Sequence, residues 1–523
     1  MKKRKFRSRM PTEVVNSGYA DGGAGFSKPS LKEYQPRKKS AKSDIDANLG
    51  VLRDRASDLS INTPVGSAII NTSTQYVVGA GLKVFPKVKA ELLGMTDDEA
   101  DAWNKKAATE FDLWAGSTLS DIRGRNSFYD LQEILYKSYL TDGDAFAVFR
   151  RGYSANMPYS LRIQAVEGNR VSNPLQTEYL GTMVEVRNPE NGNRIVNGLE
   201  IDADGAVVAY WVSNKVPLDP TETDTAVRWA RIEARGRILG KPNVLQICHD
   251  ERPEQYRGVP YLAPVIETLK QVSRYTTAEL TSAIMKSFFS IFFVAPENHY
   301  GINDILPTGE QSDPTEPVVD PSEYRLGPGT ANALPRGVDV KSIDQSNAQS
   351  TFEPFTRELI KQIAAAMGQP YEVIMKCFGS SYSASRAALL QAWDQYKLRR
   401  AWFARDLCQP VYEMWLTEAV SIGRIEAPGY FEDPAIRYAY CNAEWYGPAM
   451  SILDPVRDMN GAILRIQSGL STPEREAAEM TGSSFEENMK IIKRNYAQMI
   501  EAGLTPAGVI AIPDKGGEES EKE

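Results

Sequence analysis

Hydrophobic side chains recur at three- and four-residue intervals soon after residue 46, which is the spacing of one face of an α-helix. This pattern predicts two helices between Leu49 and Gly79, with Pro64 at the start of the second helix and Gly79 at its end. The preceding residues mix Lys and Arg with Gly, Ser and Pro and show no such period. We therefore predict a flexible basic arm over residues 1–45.

Two further helices are predicted over residues 96–115 and 127–140, because each begins at a capping residue, Thr96 or Ser127, and continues with the helical period. Their predicted buried faces are Trp103, Ala107, Phe111 and Trp114 in the first of these helices, and Leu131, Ile134, Leu135 and Tyr139 in the second.

Alternation of apolar and polar residues replaces the helical period after a turn at 141–144. The pair Asp204-Gly205 is a strong hairpin signal and is expected to join the last two predicted strands. The fold class is therefore α+β, mostly helical with a mixed β region. The predicted strands cover residues 145–151, 161–168, 182–188, 194–202 and 206–214.

The helical period returns near Pro264 and again over residues 352–368, where Gly368 is the predicted end. Residues 295–329, rich in Pro, Gly and Asp, predict loops and short strands that project toward a partner. A loop over 375–383 then leads into a helical run that reaches Gly423, a length of about 60 Å. Pro410 predicts a kink in this run, and three more helices are predicted over 455–468, 471–480 and 485–503.

Aromatic and basic residues alternate over residues 393–405. Such a stretch is suited to stacking on nucleic acid. The spacing of Trp393, Tyr396 and Arg400 is equally that of a helix-packing face whose cations reach the surface. The residues leave both interpretations open.

Composition excludes several classes of protein. The 42% apolar and 24% charged fractions are those of a globular chain, and the longest apolar stretch, residues 288–295, is too short to cross a membrane. No hydrophobic block of a secretion signal follows the basic N-terminus, so we expect the protein to remain where it is made. The net charge of −8 is unevenly distributed, with a basic first and an acidic last ten residues, so local patches decide any contact with DNA.

The side chains that enzymes use most often form no recognisable pattern. His249 and His299 have no second ligand at helical spacing. The pairs Asp142/Asp144 and Asp202/Asp204 each contain or adjoin a glycine that indicates a turn. Cys377 beside Lys376 has no neighbouring histidine. We expect no enzyme activity, cofactor, metal site or disulfide, the last because the cysteines are widely spaced: Cys248, Cys377, Cys408 and Cys441.

Several stretches, taken in their order and spacing, resemble the lambda-type family of tailed-phage portal proteins. The resemblance extends over most of residues 46–425. The stretches are "RDRASDLSINTPVGSAIINTSTQYVVGAGL" (53–82), "SFYDLQEILYKSYLTDGDAF" (127–146), "RGVPYLAPVIETLKQVSRYTTAELTSAIMKSFF" (257–289), "LGPGTANALPRGVDV" (326–340) and "YSASRAALLQAWDQY" (382–396).

The resemblance implies a ring of twelve identical subunits at one capsid vertex, through which double-stranded DNA enters and leaves without sequence specificity. It implies the major capsid protein, the terminase and head-tail adaptor or tail proteins as partners, a location in the virion, and assembly in the bacterial cytoplasm. It divides the chain into a basic arm (1–45), a wing (46–255), a stem with clip (256–345), a channel helix and loop (346–425), and a C-terminal crown (426–523).

The resemblance also assigns roles to the channel segment. The predicted DNA-channel residues are Lys376, Ser380, Ser381, Tyr382 and Arg386, with Ser383 or Ser385 as the cap of the following helix. The predicted subunit-packing residues are Trp393, Tyr396 and Trp402. Two alternatives are a phage-encoded hydrolase or nuclease that uses the aspartate turns, and a capsid scaffold-type interaction protein.

Overall fold

A computed structural model describes twelve stretches of the chain. Outside them lie most of the predicted basic arm, the segment 295–329 that was predicted to project, and the residues His299, Ser380 and Ser381. The described residues are 33, 34, 36–174, 185–217, 219, 226–237, 240–287, 291–294, 331–334, 349–378, 382–450, 455–482 and 485–502.

The chain begins with helices near the predicted positions. The end of the predicted arm is itself helical, since Lys42–Asp46 form a π-helical turn. The elements that follow are α1 (Leu49–Asn62), α2 (Pro64–Val77), β1 (Lys83–Pro86), α3 (Ala90–Leu93), α4 (Asp97–Ala115) and α5 (Phe128–Asp142).

Side-chain caps set the starts of α4 and α5 as the sequence predicts. Thr96 accepts a hydrogen bond from the backbone N–H of Glu99, whose carboxylate accepts from Thr96 in return. Ser127 and Asp130 form the same reciprocal pair. The predicted buried residues of α4 are all buried, but Ile134 of α5 is 44% exposed, so that assignment was wrong. Ile134 lies at the edge of the helical stripe that the core covers.

Two antiparallel sheets follow. Their strands are β2 (Asp144–Arg151), β3 (Leu161–Glu167), β4 (Glu185–Arg187), β5 (Arg194–Val196), β6 (Leu199–Ile201), β7 (Val207–Ser213), β8 (Trp229–Glu233) and β9 (Val244–Cys248). The first sheet has three strands in the order β3-β2-β9, and the second has the five strands β4 to β8 in sequence order.

The single strand predicted over residues 194–202 is two strands. Asn197 and Gly198 both have positive φ, 45° and 88°, and turn β5 back onto β6. An Asn-Gly pair with this geometry is the preferred turn of a tight hairpin, and the prediction overlooked it. The hairpin expected at Asp204-Gly205 is present between β6 and β7.

The second half of the described chain is mainly helical. Its elements are α6 (Ile266–Ser287), β10 (Ile291–Val294), β11 (Ala331–Leu334), α7 (Gln349–Met367), α8 (Tyr371–Met375), α9 (Tyr382–Phe403), α10 (Gln409–Ser421), α11 (Pro434–Cys441), β12 (Ala443–Tyr446), α12 (Pro455–Gln467), α13 (Pro473–Thr481) and α14 (Phe485–Glu501).

Helices α9 and α10 form the long run that the sequence predicts. A π-helical turn, Ala404–Cys408, connects them, and Pro410 lies in the first turn of α10. Proline has no N–H and its ring collides with the carbonyl four residues earlier, so a widened turn just before it relieves the conflict. The irregularity predicted at Pro410 therefore takes the form of this π turn.

One hydrophobic core joins segments that are far apart in sequence. Phe111 of α4 is fully buried at its centre. The rings around Phe111 belong to Trp114, Phe128, Tyr412, Trp415 and Trp445, with centroids 5.1–6.1 Å away. Tyr430 and Tyr440 are buried in the same core, and β12 pairs with β1. Residues on the C-terminal side of α10 therefore contribute to the same core as α4.

A second feature of the interior is a buried ion cluster around Asp144. Arg257 donates to both carboxylate oxygens, from Nε at 2.5 Å and from Nη2 at 3.0 Å, and Arg53 donates to Oδ1 at 2.7 Å. Burial alone would raise the pKa of Asp144, but the two guanidinium groups outweigh it and hold the pKa below its usual value. Asp144 was predicted as part of a turn, and it is instead the centre of an ion cluster.

The turn that leads to Asp144 requires glycine. Gly143 has a φ of 86°, and a Cβ atom on it would come within 2.4 Å of the Gly258 carbonyl oxygen. This close approach brings the 257–258 segment to the start of β2, so that the Gly258 N–H also donates to Asp144 at 3.2 Å. The predicted turn is confirmed, and its tightness positions the second arginine of the cluster.

The ion cluster generates a first prediction. Arg257→Met removes two hydrogen bonds from a fully buried carboxylate, so we expect the free energy of unfolding to fall by about 3–5 kcal/mol. Urea unfolding followed by tryptophan fluorescence measures this change. As a control, Arg237→Met breaks an exposed ion pair with Glu233, which solvent screens, and should leave the free energy of unfolding nearly unchanged. Equal stability of the two variants would contradict the proposed importance of the cluster.

A second prediction concerns Asp142, whose carboxylate accepts from the Gly168 N–H at 3.2 Å. Burial raises the pKa of Asp142 from 3.8 to about 6. Because the folded state binds this proton more tightly than the unfolded state, the group favours folding at low pH and loses that contribution as the pH rises through this interval. In the unmodified chain this group should lower the free energy of unfolding by about 1–3 kcal/mol as the pH rises from about 4 to about 6, and Asp142→Asn should abolish that decline. Parallel pH profiles of unfolding for the two proteins would contradict this assignment.

Candidate functional site

The predicted channel segment lies between α8 and α9. Helix α8 ends at Met375, and the next residue, Lys376, adopts a left-handed conformation with a φ of 52°. Lys376, Cys377 and Phe378 are all exposed. Helix α9 begins at Tyr382, four residues before the first helical position that a cap at Ser385 would give. Ser383 and Ser385 therefore lie inside the helix, and the prediction that one of them caps it was wrong.

The first turns of α9 are tied to the C-terminal helices. Arg386 pairs with Asp458 of α12, and both side chains are partly buried. Further along α9, Lys397 approaches Glu479 of α13 at 3.5 Å. Two cations of this region, Arg386 and Lys397, are thus engaged with carboxylates of the same chain.

The aromatic residues of α9 are covered within the chain itself. Tyr396 stacks on Tyr76 of α2 with ring centroids 5.2 Å apart, and Trp393 meets the same ring edge-on at 6.2 Å. Trp402 packs against Tyr139 at 4.9 Å and stacks on His249 at 5.4 Å.

These contacts change the interpretation of the aromatic stripe. Trp393, Tyr396 and Trp402 retain less than a tenth of their exposed area in the single chain. Burial within one chain already satisfies their hydrophobic surface, so the packing that was expected of a neighbouring subunit is supplied by α2, α5 and the end of β9. The stripe is therefore an intramolecular packing face, one of the two interpretations that the spacing allowed.

Two arginines that follow Tyr396 are structural as well. Arg400 donates to the carbonyl oxygens of Tyr76, Val77 and Pro448 at 2.8–3.1 Å. Burial lowers the pKa of Arg400 to about 10, which leaves it charged at neutral pH. Arg399 lies over the ring of Tyr261, 4.2 Å from its centroid. Sequence reasoning missed these roles, because a guanidinium that binds carbonyl groups has no distinguishing pattern along the chain.

No cluster of three or more His, Cys, Asp or Glu side chains with metal-binding proximity occurs among the described residues. Cys408 and Cys441 are buried, and burial raises the pKa of both thiols. None of the described helices combines the length and the apolar character that a membrane crossing requires.

Chains in solved structures of gene transfer agent particles align with this chain at low similarity. A chain in the virion of a native gene transfer agent particle aligns with 82% of this chain and 92% of its own length, with 14% sequence identity and a TM-score of 0.41. A chain in the neck of the native particle, computed with C12 symmetry, aligns over the same shares with 13% identity and a TM-score of 0.38.

Sequence comparison is more specific. Portal protein B of Escherichia phage lambda is 22% identical over 516 residues, which cover 96% of this chain and 93% of the lambda protein. The portal protein of Escherichia phage N15 is 24% identical over 522 residues, which cover 96% of this chain and 94% of the N15 protein. A family model described as phage portal protein, lambda family, matches residues 27–400. Because this match includes well over half of the residues, the chain belongs to the lambda family of phage portal proteins.

Proposed function

We propose that this protein forms the portal of a bacteriophage, a ring of twelve subunits at one capsid vertex through which the terminase packages DNA and from which DNA leaves at infection. The match of the lambda-family portal model to residues 27–400 carries the proposal. The ring attaches to the major capsid protein on one side and to head-tail adaptor or tail proteins on the other. It belongs to the virion and assembles in the bacterial cytoplasm.

Exposed apolar side chains support assembly of the chain with copies of itself. Leu280 and Ile284 near the end of α6 are 60% and 46% exposed, and Phe355 of α7 is 51% exposed. Helices α6 and α7 are in contact through Tyr275, which packs against Phe352 and Phe355. A closed ring buries such surface between neighbouring subunits, whereas a monomer leaves it in water.

The division into parts remains a proposal. We assign the wing to residues 46–255, the stem and clip to 256–345, and the channel helix and loop to 346–425. The burial of residues 425–446 in the main core supports a C-terminal crown that begins after Met450. The basic arm precedes the wing.

Charge supports a conduit for DNA. Each chain carries a net charge of −8, so twelve copies carry about −96 and repel a polyanion over most of the surface. Isolated cations such as Lys376 then supply brief contacts with phosphate without holding the duplex. A protein that reads DNA sequence needs a basic recognition element. Weak contact with DNA suits its passage through a ring better than tight binding does.

A third prediction tests the ring. Twelve copies of the 58.1 kDa chain have a mass of about 700 kDa, so native mass spectrometry and negative-stain images should show closed rings of this size with a central hole. A hydrolase or nuclease would be found as a monomer to tetramer, and a scaffold-type protein would associate without a channel. Either result would contradict the portal assignment.

A fourth prediction tests whether the segment around Lys376 faces DNA. The photoreactive amino acid p-benzoylphenylalanine in place of Phe378 should attach to DNA when filled particles are irradiated, because Phe378 follows Lys376 and is 54% exposed. Phe431, before α11, is 51% exposed and provides a matched control that should not react with DNA. Gel analysis of nuclease-treated particles measures the attachment. Equal yields at the two positions would remove the channel assignment of this segment.

A further inference from the structure

An open cleft separates α9 from the C-terminal helices. Its volume is about 470 Å³, and Trp393 of α9 lines it together with residues of α12 and α13. Two ion pairs extend across the cleft, from Arg386 to Asp458 and from Lys397 to Glu479. The C-terminal helices therefore approach α9 through charged side chains, with open space between them.

The helices on the far side of the cleft are joined to each other more firmly. Arg465 of α12 binds Glu476 of α13 through two hydrogen bonds, of 2.8 and 2.6 Å. Bidentate pairs of this kind are the strongest type of ion pair at a protein surface. Helices α12 and α13 therefore form one unit, defined here as the C-terminal pair.

Apolar packing contributes little to the attachment of the C-terminal pair. Among the described residues beyond Met450, the buried apolar side chains are Ala462 and Ala478, and neither belongs to the main core. Alanine buries little apolar area, so these contacts stabilise the arrangement only slightly. Meanwhile α12 leaves Val456 71% exposed and Met459 52% exposed. The two ion pairs across the cleft are therefore a substantial part of the attachment.

These ion pairs are accessible to solvent. The side chains of Arg386 and Asp458 keep 23% and 26% of their exposed area, and those of Lys397 and Glu479 keep 46% and 40%. Ion pairs in such surroundings are weak individually and are screened by salt. By contrast, the fully buried pair of Arg257 and Asp144 is protected from screening.

We propose that the pairs Arg386–Asp458 and Lys397–Glu479 form an electrostatic latch, which holds the C-terminal pair against α9 at low ionic strength and releases it as ionic strength rises. Release also separates Arg386 from Asp458 close to the start of α9. The latch does not rest on the proposed function.

A fifth prediction tests the latch by measuring a distance inside one full-length chain. Spin labels are placed at Gln391→Cys on α9 and Gln467→Cys on α12, both exposed positions, with the exposed native thiol removed by Cys377→Ser. Labelled chain is mixed with excess unlabelled chain and measured by pulsed electron resonance. As the NaCl concentration rises from about 0.01 to about 1 M, the screening length falls from about 30 to about 3 Å. The fraction of chains in which the two spin labels are farther apart should therefore grow.

Two variants separate the latch from general effects of salt. Asp458→Asn removes one ion pair across the cleft and should raise the ratio of released to attached chains by about 1.5- to 5-fold at low salt. Arg475→Gln is the matched control, because Arg475 contacts the same Glu479 at 3.5 Å from within α13 and does not cross the cleft. The control should leave the attached population unchanged.

The double variant Arg386→Asp with Asp458→Arg restores opposite charges across the cleft and should return the ratio toward that of the unmodified chain. A distance distribution that is the same at every salt concentration and in Asp458→Asn would overturn the latch. An equal release in Arg475→Gln would overturn it too. The distance lies within one subunit, so a chain that failed to form rings would disprove the proposed function and leave this test valid.

Discussion

The fold depends on the placement of one carboxylate, Asp144, in a fully buried position between two arginines. A buried charge is tolerated only when it is paired and hydrogen-bonded, so Arg53, Asp144 and Arg257 have very little freedom in how they meet. These residues come from α1, the start of β2 and the segment before α6. The cluster therefore orients the N-terminal helices, the first sheet and the beginning of α6 relative to one another. A shift of any of these elements would leave a charge without its partner.

Helix α9 illustrates how one element combines rigid and adaptable parts. Its second half is packed into the aromatic core, where Tyr396 stacks on Tyr76 and Arg400 binds three carbonyl oxygens. Its first turns are connected to the rest of the chain by the ion pair between Arg386 and Asp458, beside an open cleft. The strength of attachment thus decreases along the helix from the core toward the loop that precedes it.

Residues that suggest chemistry in the sequence have structural tasks here. Asp142 and Asp144 serve a tight turn and an ion cluster, and Cys408 and Cys441 fill apolar space in the core. We propose that this member of the lambda portal family acts as a conduit for DNA. The net negative charge of the chain supports the same role, because a surface that repels a polyanion allows the polyanion to move along it.

The sequence by itself determined the local elements, because helix caps and periodicity act over a few residues. Thr96 and Ser127 begin their helices as expected, and Pro410 marks the irregular turn in the long helical run. The order of its motifs along the chain also identified the family. Only the tertiary structure decided which partners distant residues find, since Arg53 and Arg257 are about 200 positions apart and yet share one carboxylate. It likewise decided that the aromatic face of α9 is covered by α2 within the same chain, because periodicity specifies that a face is buried and does not specify by what.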